Sequence, residues 1–162
     1  MRGIAIRKSP SADSRTAKGP VSVEELTRST MMHIDDVKNS LNWIAELIQE
    51  RGSVHDHTKM EMMDEFHAAL TSGHIKDTEW YKNHITQERH HLKSNVLNDV
   101  NLIDIIEHVC DCVMAGMARS GEVYDVDIPA ETLTLALRNT VELLKSSTYV
   151  IDESKDTMDE EV

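Results

Sequence analysis

The side chains that stand out in this sequence are those that bind divalent metals. Residues 55–59 read HDHTK, so a His and an Asp are adjacent and Lys59 follows the Asp by three positions. Imidazole and carboxylate groups are preferred ligands of divalent transition metals. A metal held in this way activates water for hydrolysis, and a nearby Lys is suited to hold a phosphate. The full set of metal-binding and acid–base candidates comprises His33, His55, Asp56, His84, His91, Glu107 and Asp111.

Hydrophobic periodicity predicts five helices that position these candidates. A Ser-x-x-Glu capping pattern starts the first helix at Ser22, and Gly52 is a natural end for it. The other four are predicted over residues 53–71, 77–92 and 101–120, and from residue 127 onwards. Five helices with short links predict a single all-α bundle.

Apolar stripes indicate which helix faces enter the core. The first helix presents a stripe that includes Ile34, Val37 and Leu41, and His33 lies beside it. The expected core face of the last helix consists of Leu133, Leu137, Thr140, Val141 and Leu144. On the third helix, spacings of four, four and three residues predict a shared face for Trp80, His84, Glu88 and His91. His90 is then expected to point about 100° away from that face.

Charge divides the sequence into three parts. Residues 1–21 are expected to form a flexible basic arm, residues 22–151 the helical domain, and residues 152–162 a disordered acidic tail. The formal net charge is −12. Binding to duplex nucleic acid requires clustered Lys and Arg, so this balance argues against it.

The sequence also predicts a compartment. No apolar run approaches the ~20 residues of a membrane span, and the N-terminal stretch lacks the apolar region of a secretory signal. Cys110 and Cys112 lie two apart on a predicted helix and point to different faces, so no disulfide between them is expected. These features favour a cytoplasmic protein. A homodimer is one assembly that the sequence allows, because small helical domains often pair.

Each candidate residue also has a purely structural explanation. A His beside an apolar stripe, such as His33, usually packs and needs one hydrogen bond. For Lys59 the default role is a salt bridge to a neighbouring carboxylate such as Asp56. Glu107 and Asp111 lie one turn apart and could form a solvated acidic face. They border a buried stripe, however, where an unpaired carboxylate is costly and a metal would remove the cost.

The order of these residues resembles the HD-domain superfamily of metal-dependent phosphohydrolases. That superfamily is all-helical, and its motif is a first His, an adjacent His-Asp pair and a distant Asp. His33 matches the first position, residues 55–56 match the pair, and Asp111 matches the last position. Members with two metals carry further histidines between the pair and the last Asp, where this sequence has His84, His90 and His91.

Two narrower resemblances concern the same motif. HDHTK is similar to the HD-x-G-K signature of the branch that hydrolyses cyclic dinucleotides, with Thr58 in place of the Gly. The GYP segment of that branch is absent here, which argues against that substrate. Residues 30–145 also resemble a family of small uncharacterised proteins of phages and bacteria. These share an HD-x-[ST]-K element, a W-x3-H segment followed by HH, and a later E-x3-D helix.

The resemblance implies a metal-dependent phosphohydrolase that acts on a nucleotide or another small phosphate ester. It implies one divalent ion (Mn, Fe, Ni, Co or Zn) held by His33, His55, Asp56 and Asp111. A second ion would be held by His84 and His91, with Asp56 bridging the two. Lys59 would neutralise a phosphoryl oxygen, and Glu107 would orient the water or act as general base.

Three alternatives stay open. An all-α nucleoside triphosphate pyrophosphatase would hold Mg with carboxylates such as Glu107 and Asp111 and would need few histidines. Another HD branch uses two irons for oxygenase chemistry. A non-catalytic helical interaction or regulatory protein would keep only a structural metal site, and its oppositely charged ends would suit binding.

Overall fold

The computed structural model describes residues 3–8, 19–93 and 96–151 of the chain. It is 69% helix and 6% strand, which confirms the predicted all-α class. The helices are α1 Val23–Val54, α2 His57–Glu61, α3 Met63–Thr71, α4 Glu79–Gln87, α5 Leu102–Arg119 and α6 Ala130–Ser147. The strands are β1 Ile4–Arg7 and β2 Thr148–Ile151, and a short 3-10 helix, Ile75–Asp77, precedes α4. Within the described residues, the five helices of nine residues or more match the predicted number.

Side-chain caps explain where several helices begin. The Ser22 hydroxyl accepts from the Glu25 amide at 3.2 Å, and the Glu25 carboxylate accepts from the Ser22 amide at 3.3 Å, as the capping pattern predicts. Thr78 caps α4 through the Tyr81 amide. Asn101 and Asp104 form a complete capping box at the start of α5. Local sequence therefore fixes these three starts.

The chain divides into two compact units, and α1 and α6 each contribute to both. The first unit comprises residues 1–46 and 143–162. In it, β1 pairs in parallel with β2, with Ile4 opposite Thr148 and Arg7 opposite Ile151. The predicted basic arm therefore contains a strand. Residues 9–18 of that arm and the predicted acidic tail, residues 152–162, lie outside the described residues.

The apolar stripe of α1 is exposed in the first unit rather than buried. Ile34 is 58% exposed, Val37 45% and Leu41 60%. Their 3- and 4-residue spacing is the a/d pattern of a coiled-coil seam. This stripe has the pattern of a contact face, although the sequence predicted it as core.

The second unit, residues 47–142, has its own apolar core. Leu92, Val100 and Ala136 are fully buried at its centre. On α6 the prediction was wrong for Leu133, Leu137 and Val141, which are exposed. The prediction is confirmed for Thr140, which is buried together with Thr132 and Ala136.

A hydrogen bond explains which face of α6 is buried. The Thr140 hydroxyl accepts from the Leu102 amide at 2.9 Å and donates to the Ala136 carbonyl at 2.8 Å. It thereby satisfies one of the free amides in the first turn of α5. A hydroxyl-bearing residue makes this contact, and a hydrophobic stripe alone does not reveal it.

Two findings concern the predicted environment of the protein. Within the described residues, none of the helices combines the length and the apolar character that crossing a bilayer requires. Cys110 and Cys112 are both free thiols; Cys112 is buried and Cys110 is exposed.

Candidate metal centre

The His-Asp pair lies in a sharp turn between α1 and α2 of the second unit. Asp56 adopts a left-handed conformation with φ of 55°, and among the described residues other than Gly only Asp56 has a positive φ. Such a conformation is uncommon outside Gly and Asn or Asp, and it concentrates at functional positions. The predicted helix over residues 53–71 is thus wrong as a single element. The turn directs both His55 and Asp56 toward α5 and residues 84–91.

Glu107, on α5, holds two imidazole rings at once. Its Oε1 accepts from His55 Nδ1 at 2.9 Å and from His90 Nδ1 at 3.1 Å. A carboxylate only accepts hydrogen bonds, so each Nδ1 carries the proton. In the neutral rings Nε2 therefore bears the lone pair, as a metal ligand requires.

A second carboxylate fixes His84 through a hydroxyl. Thr58 Oγ1 donates to Glu88 Oε1 at 2.6 Å, so it must accept from His84 Nδ1, which lies 2.7 Å away. Trp80 stacks on the His84 ring at a centroid distance of 4.9 Å. Both contacts leave His84 Nε2 as a lone pair in a fixed direction.

The Nε2 atoms of these rings converge on the Asp56 carboxylate. Oδ1 of Asp56 lies 3.6 Å from His84 Nε2 and 3.8 Å from His90 Nε2. Oδ2 lies 3.5 Å from His55 Nε2. Ligands held about 2.1 Å from one tetrahedral ion are about 3.4 Å apart, so these separations are close to those of a shared ion.

The Asp56 carboxylate is only partly satisfied, because Lys59 donates to its Oδ2 alone. Asp56 Oδ1 is buried without a hydrogen-bond partner, although the Nε2 lone pairs of His84 and His90 face it. Burial without a partner is costly for a charged oxygen, and a cation between these atoms removes that cost. The residues present therefore fit a divalent ion.

Burial and neighbouring charges shift the pKa values of three histidines at this centre. Burial lowers the pKa of His84 and lowers that of His91 to about 4, so both rings are neutral near pH 7. Burial also acts to lower the pKa of His90, but the hydrogen bond to Glu107 and the charges of Glu107 and Asp56 raise it overall. The acidic surroundings of His90 thus favour a cation at this position.

Within the described residues, two groups could hold a metal ion: His55 with His90 and Glu107, and Asp56 with His84 and Glu88. Glu107 Oε1 is engaged with two Nδ1 atoms, and Glu88 Oε1 also accepts from the Thr58 amide at 2.9 Å. The Nε2 nitrogens and the Asp56 carboxylate therefore remain to face an ion, together with Glu107 Oε2, which has no hydrogen-bond partner.

His90 is the site residue that helical spacing misplaced. It is buried at 2% exposure, because α4 ends at Gln87 and residues 88–93 leave the helix. Arg89 binds both carboxylate oxygens of the buried Asp104 at 2.8 Å, and the His90 carbonyl accepts from His108 Nδ1 at 3.0 Å. These tertiary bonds outweigh the helical pattern and turn His90 inward. The sequence pointed to His90 only through the HH pair that it forms with His91.

The two remaining carboxylate and imidazole candidates lie at the margin of the centre. His91 Nε2 is 3.0 Å from His84 Nε2, and since His84 carries its proton on Nδ1, His91 Nε2 is the donor in this contact. Asp111 Oδ1 is 3.7 Å from His55 Nε2. His91 thus lies beside His84, and Asp111 lies beside His55.

His33 is placed differently from the other candidates. It is an exposed residue of α1 within the first unit, and it belongs to neither of the groups that could hold a metal.

Lys59 forms the salt bridge to Asp56 that is its default role, and it donates to Oδ2. Burial acts to raise the pKa of Asp56, but the contact with Lys59 helps to lower that pKa overall.

No family model matches the chain, and no curated protein or solved structure matches it either.

Proposed function

We propose that this protein is a metal-dependent phosphohydrolase of the HD type, acting on a small phosphate ester such as a nucleotide. The observation that carries the proposal is the Asp56 carboxylate, which faces three oriented Nε2 atoms while one of its oxygens has no partner. An adjacent His-Asp pair in such a position is the feature that the HD superfamily uses to hold its metal.

The composition of the centre separates this proposal from the pyrophosphatase alternative. Mg²⁺ prefers oxygen ligands, whereas imidazole nitrogen suits Mn, Fe, Ni, Co or Zn. Here His55, His84 and His90 direct nitrogen toward the same carboxylate. The nitrogen-rich set therefore favours a transition metal.

The roles of the residues follow from their hydrogen bonds. His55, Asp56, His84 and His90 would hold one ion, and a second ion would use either Asp111, beside His55, or His91, beside His84. When bound, a divalent ion lowers the pKa of water and polarises a phosphoryl oxygen. Glu107 orients His55 and His90, because its Oε1 is occupied by both rings. We assign Glu107 this positioning role, whereas the sequence suggested that it orients the water or acts as general base.

Lys59 has two roles in this proposal. Its ammonium group neutralises Asp56 when substrate is absent. Its side chain is 30% exposed, so it can turn from Asp56 to a phosphoryl oxygen that approaches from solvent. A positive charge placed there stabilises the negative charge that develops on phosphoryl oxygens.

The test is substitution of the central carboxylate. Asp56→Asn keeps the shape of the side chain and tolerates the left-handed backbone, and exposed Asp64→Asn on α3 is the matched control. Metal content is measured by elemental analysis, and orthophosphate release is screened over nucleotides and generic phosphate esters. We expect Asp56→Asn to lose metal and turnover together while Asp64→Asn keeps both.

Two results would count against the proposal. Retention of metal and turnover by Asp56→Asn would show that the centre is elsewhere. A wild-type protein that holds metal tightly and releases no phosphate from any ester would support the structural or regulatory alternative.

A further inference from the structure

An open groove lies beside the candidate metal centre, between the end of α1 and one face of α5. Its volume is about 270 Å³, near the lower end of the range for small-molecule sites. The apolar part of its wall comes from Ile48, Ile103, Ile106 and Met114. His55 and Asp111, which belong to the metal centre, line it as well. A molecule in this groove would therefore touch the centre at one end and apolar side chains along its length.

Gly52 lines this groove and has no structural reason to be a glycine. It lies in the last turn of α1 without a positive φ, and a Cβ added there would meet nothing within 4 Å. Glycine in a helix costs about 0.5–1 kcal/mol relative to alanine. Gly116 on α5 is different, because a Cβ there would lie 2.4 Å from the Glu122 carbonyl. Gly52 instead has open space where its side chain would begin, and it lines the groove.

Two of the residues that line the groove, Arg51 and Glu107, are charged. Arg51 Nε and Glu107 Oε2 are buried atoms without a hydrogen-bond partner, and they form an ion pair with each other at 3.6 Å. This pair leaves no net charge on that side of the groove, so the wall that a ligand meets there is largely apolar.

We propose that this groove binds the organic part of the substrate, and that this part is a largely apolar ring system. Gly52 is then the residue that determines specificity, because it sets the size of group that the groove accepts. This inference rests on the proposed phosphohydrolase function for the position of the phosphate, which would lie at the metal centre. Compact, highly polar esters gain little from such a wall, so their turnover should not depend on it.

The experiment compares two substitutions at one position. Gly52→Leu fills the groove, while Gly52→Ala adds one methyl group in open space and serves as the control. The substrates are 1-naphthyl phosphate, which needs the groove, and glycerol 2-phosphate, which does not. We expect Gly52→Leu to lower kcat/KM for the naphthyl ester by about 10- to 100-fold, the range for loss of an apolar contact, and to leave the glycerol ester within about twofold. Gly52→Ala should resemble wild type.

A binding measurement keeps this inference separate from the proposed function. Fluorescence titration of the metal-free protein with 1-naphthol needs no catalysis, and we expect tight binding to wild type and Gly52→Ala and weak binding to Gly52→Leu. If no ester is hydrolysed but 1-naphthol binding still depends on residue 52, the phosphohydrolase proposal fails and the groove assignment stands. Ile106→Phe narrows the groove from the α5 side and replaces Gly52→Leu if that variant does not fold.

Two outcomes would overturn the inference. One is an unchanged ratio of the two kcat/KM values together with unchanged 1-naphthol binding in Gly52→Leu. The other is 1-naphthol binding that weakens as protein concentration rises, because a second copy of the chain would then occupy the groove.

Discussion

Replacing Thr58 with valine should weaken metal binding although Thr58 is not a ligand. The substitution keeps the shape of the buried side chain, which is 1% exposed, and removes only its hydroxyl. His84 Nδ1 then loses its acceptor, and the tautomer with a free Nε2 lone pair is no longer fixed. Thr58→Ser is the matched control, because it retains the hydroxyl and loses a methyl group.

The expected magnitude follows from the hydrogen bonds. Glu88 Oε1 keeps the Thr58 amide as a donor at 2.9 Å, so it is not orphaned. His84 Nδ1–H is orphaned, which costs about 1–3 kcal/mol of the free energy of unfolding. Loss of a group that orients a metal-binding imidazole usually lowers metal affinity about 10- to 100-fold. Since a factor of ten corresponds to about 1.4 kcal/mol, both effects have similar size.

Two assays separate these effects. Chemical denaturation of the metal-free proteins gives the free energy of unfolding, and competition with a chelator gives metal affinity. We expect both to fall in Thr58→Val, and metal affinity to stay within about threefold of wild type in Thr58→Ser. Equal metal affinities for wild type and Thr58→Val would refute the assignment of His84 Nε2 as a ligand.

Three further predictions concern the scaffold. Arg89→Met should cost about 3–5 kcal/mol of the free energy of unfolding in a denaturant titration, because it leaves the fully buried Asp104 carboxylate without its bidentate partner; a loss below 1 kcal/mol would contradict this. Gly116→Ala should lower the free energy of unfolding by about 1–3 kcal/mol, because the added methyl group overlaps the Glu122 carbonyl. Gly52→Ala should raise it by about 0.5–1 kcal/mol, because the methyl group there meets no other atom. Equal midpoints of unfolding for the two variants would contradict this prediction. The exposed α1 stripe should pair with a second copy, so Leu41→Glu should lower the mass found by sedimentation relative to wild type, and a wild-type monomer would contradict pairing.

Local features of the centre could be predicted from the sequence. The capping box at Asn101 is written into neighbouring residues, so the start of α5 and the position of Glu107 on it were predictable. The adjacency of His55 and Asp56 likewise predicted that both side chains lie in one cluster. The structure brings them close to His84 and Asp111. The sequence had also placed His33 with His55, Asp56 and Asp111 around one cation, and His33 is an exposed residue of the first unit.

Features that depend on distant contacts were not predictable in this way. Helical spacing predicted that His91, rather than His90, shares the face of His84. The prediction assumed a continuous helix, because no residue in 87–90 is a typical helix end. The end of α4 is set by Arg89, whose partner Asp104 lies on another helix. The buried face of α6 depends on one hydroxyl, Thr140, which reaches the first turn of α5. The pairing of β1 with β2 joins opposite ends of the sequence, and no periodicity records it.

The most direct test of the central claim is the position of the ion itself. A crystal of the protein loaded with Zn²⁺ or Mn²⁺, measured at the absorption edge of the metal, gives an anomalous difference peak wherever the ion is bound. We expect a peak within about 2.0–2.3 Å of His84 Nε2, His90 Nε2 and Asp56 Oδ1. A strong peak elsewhere, or none near Asp56 in a crystal soaked at saturating metal, would contradict the proposed centre.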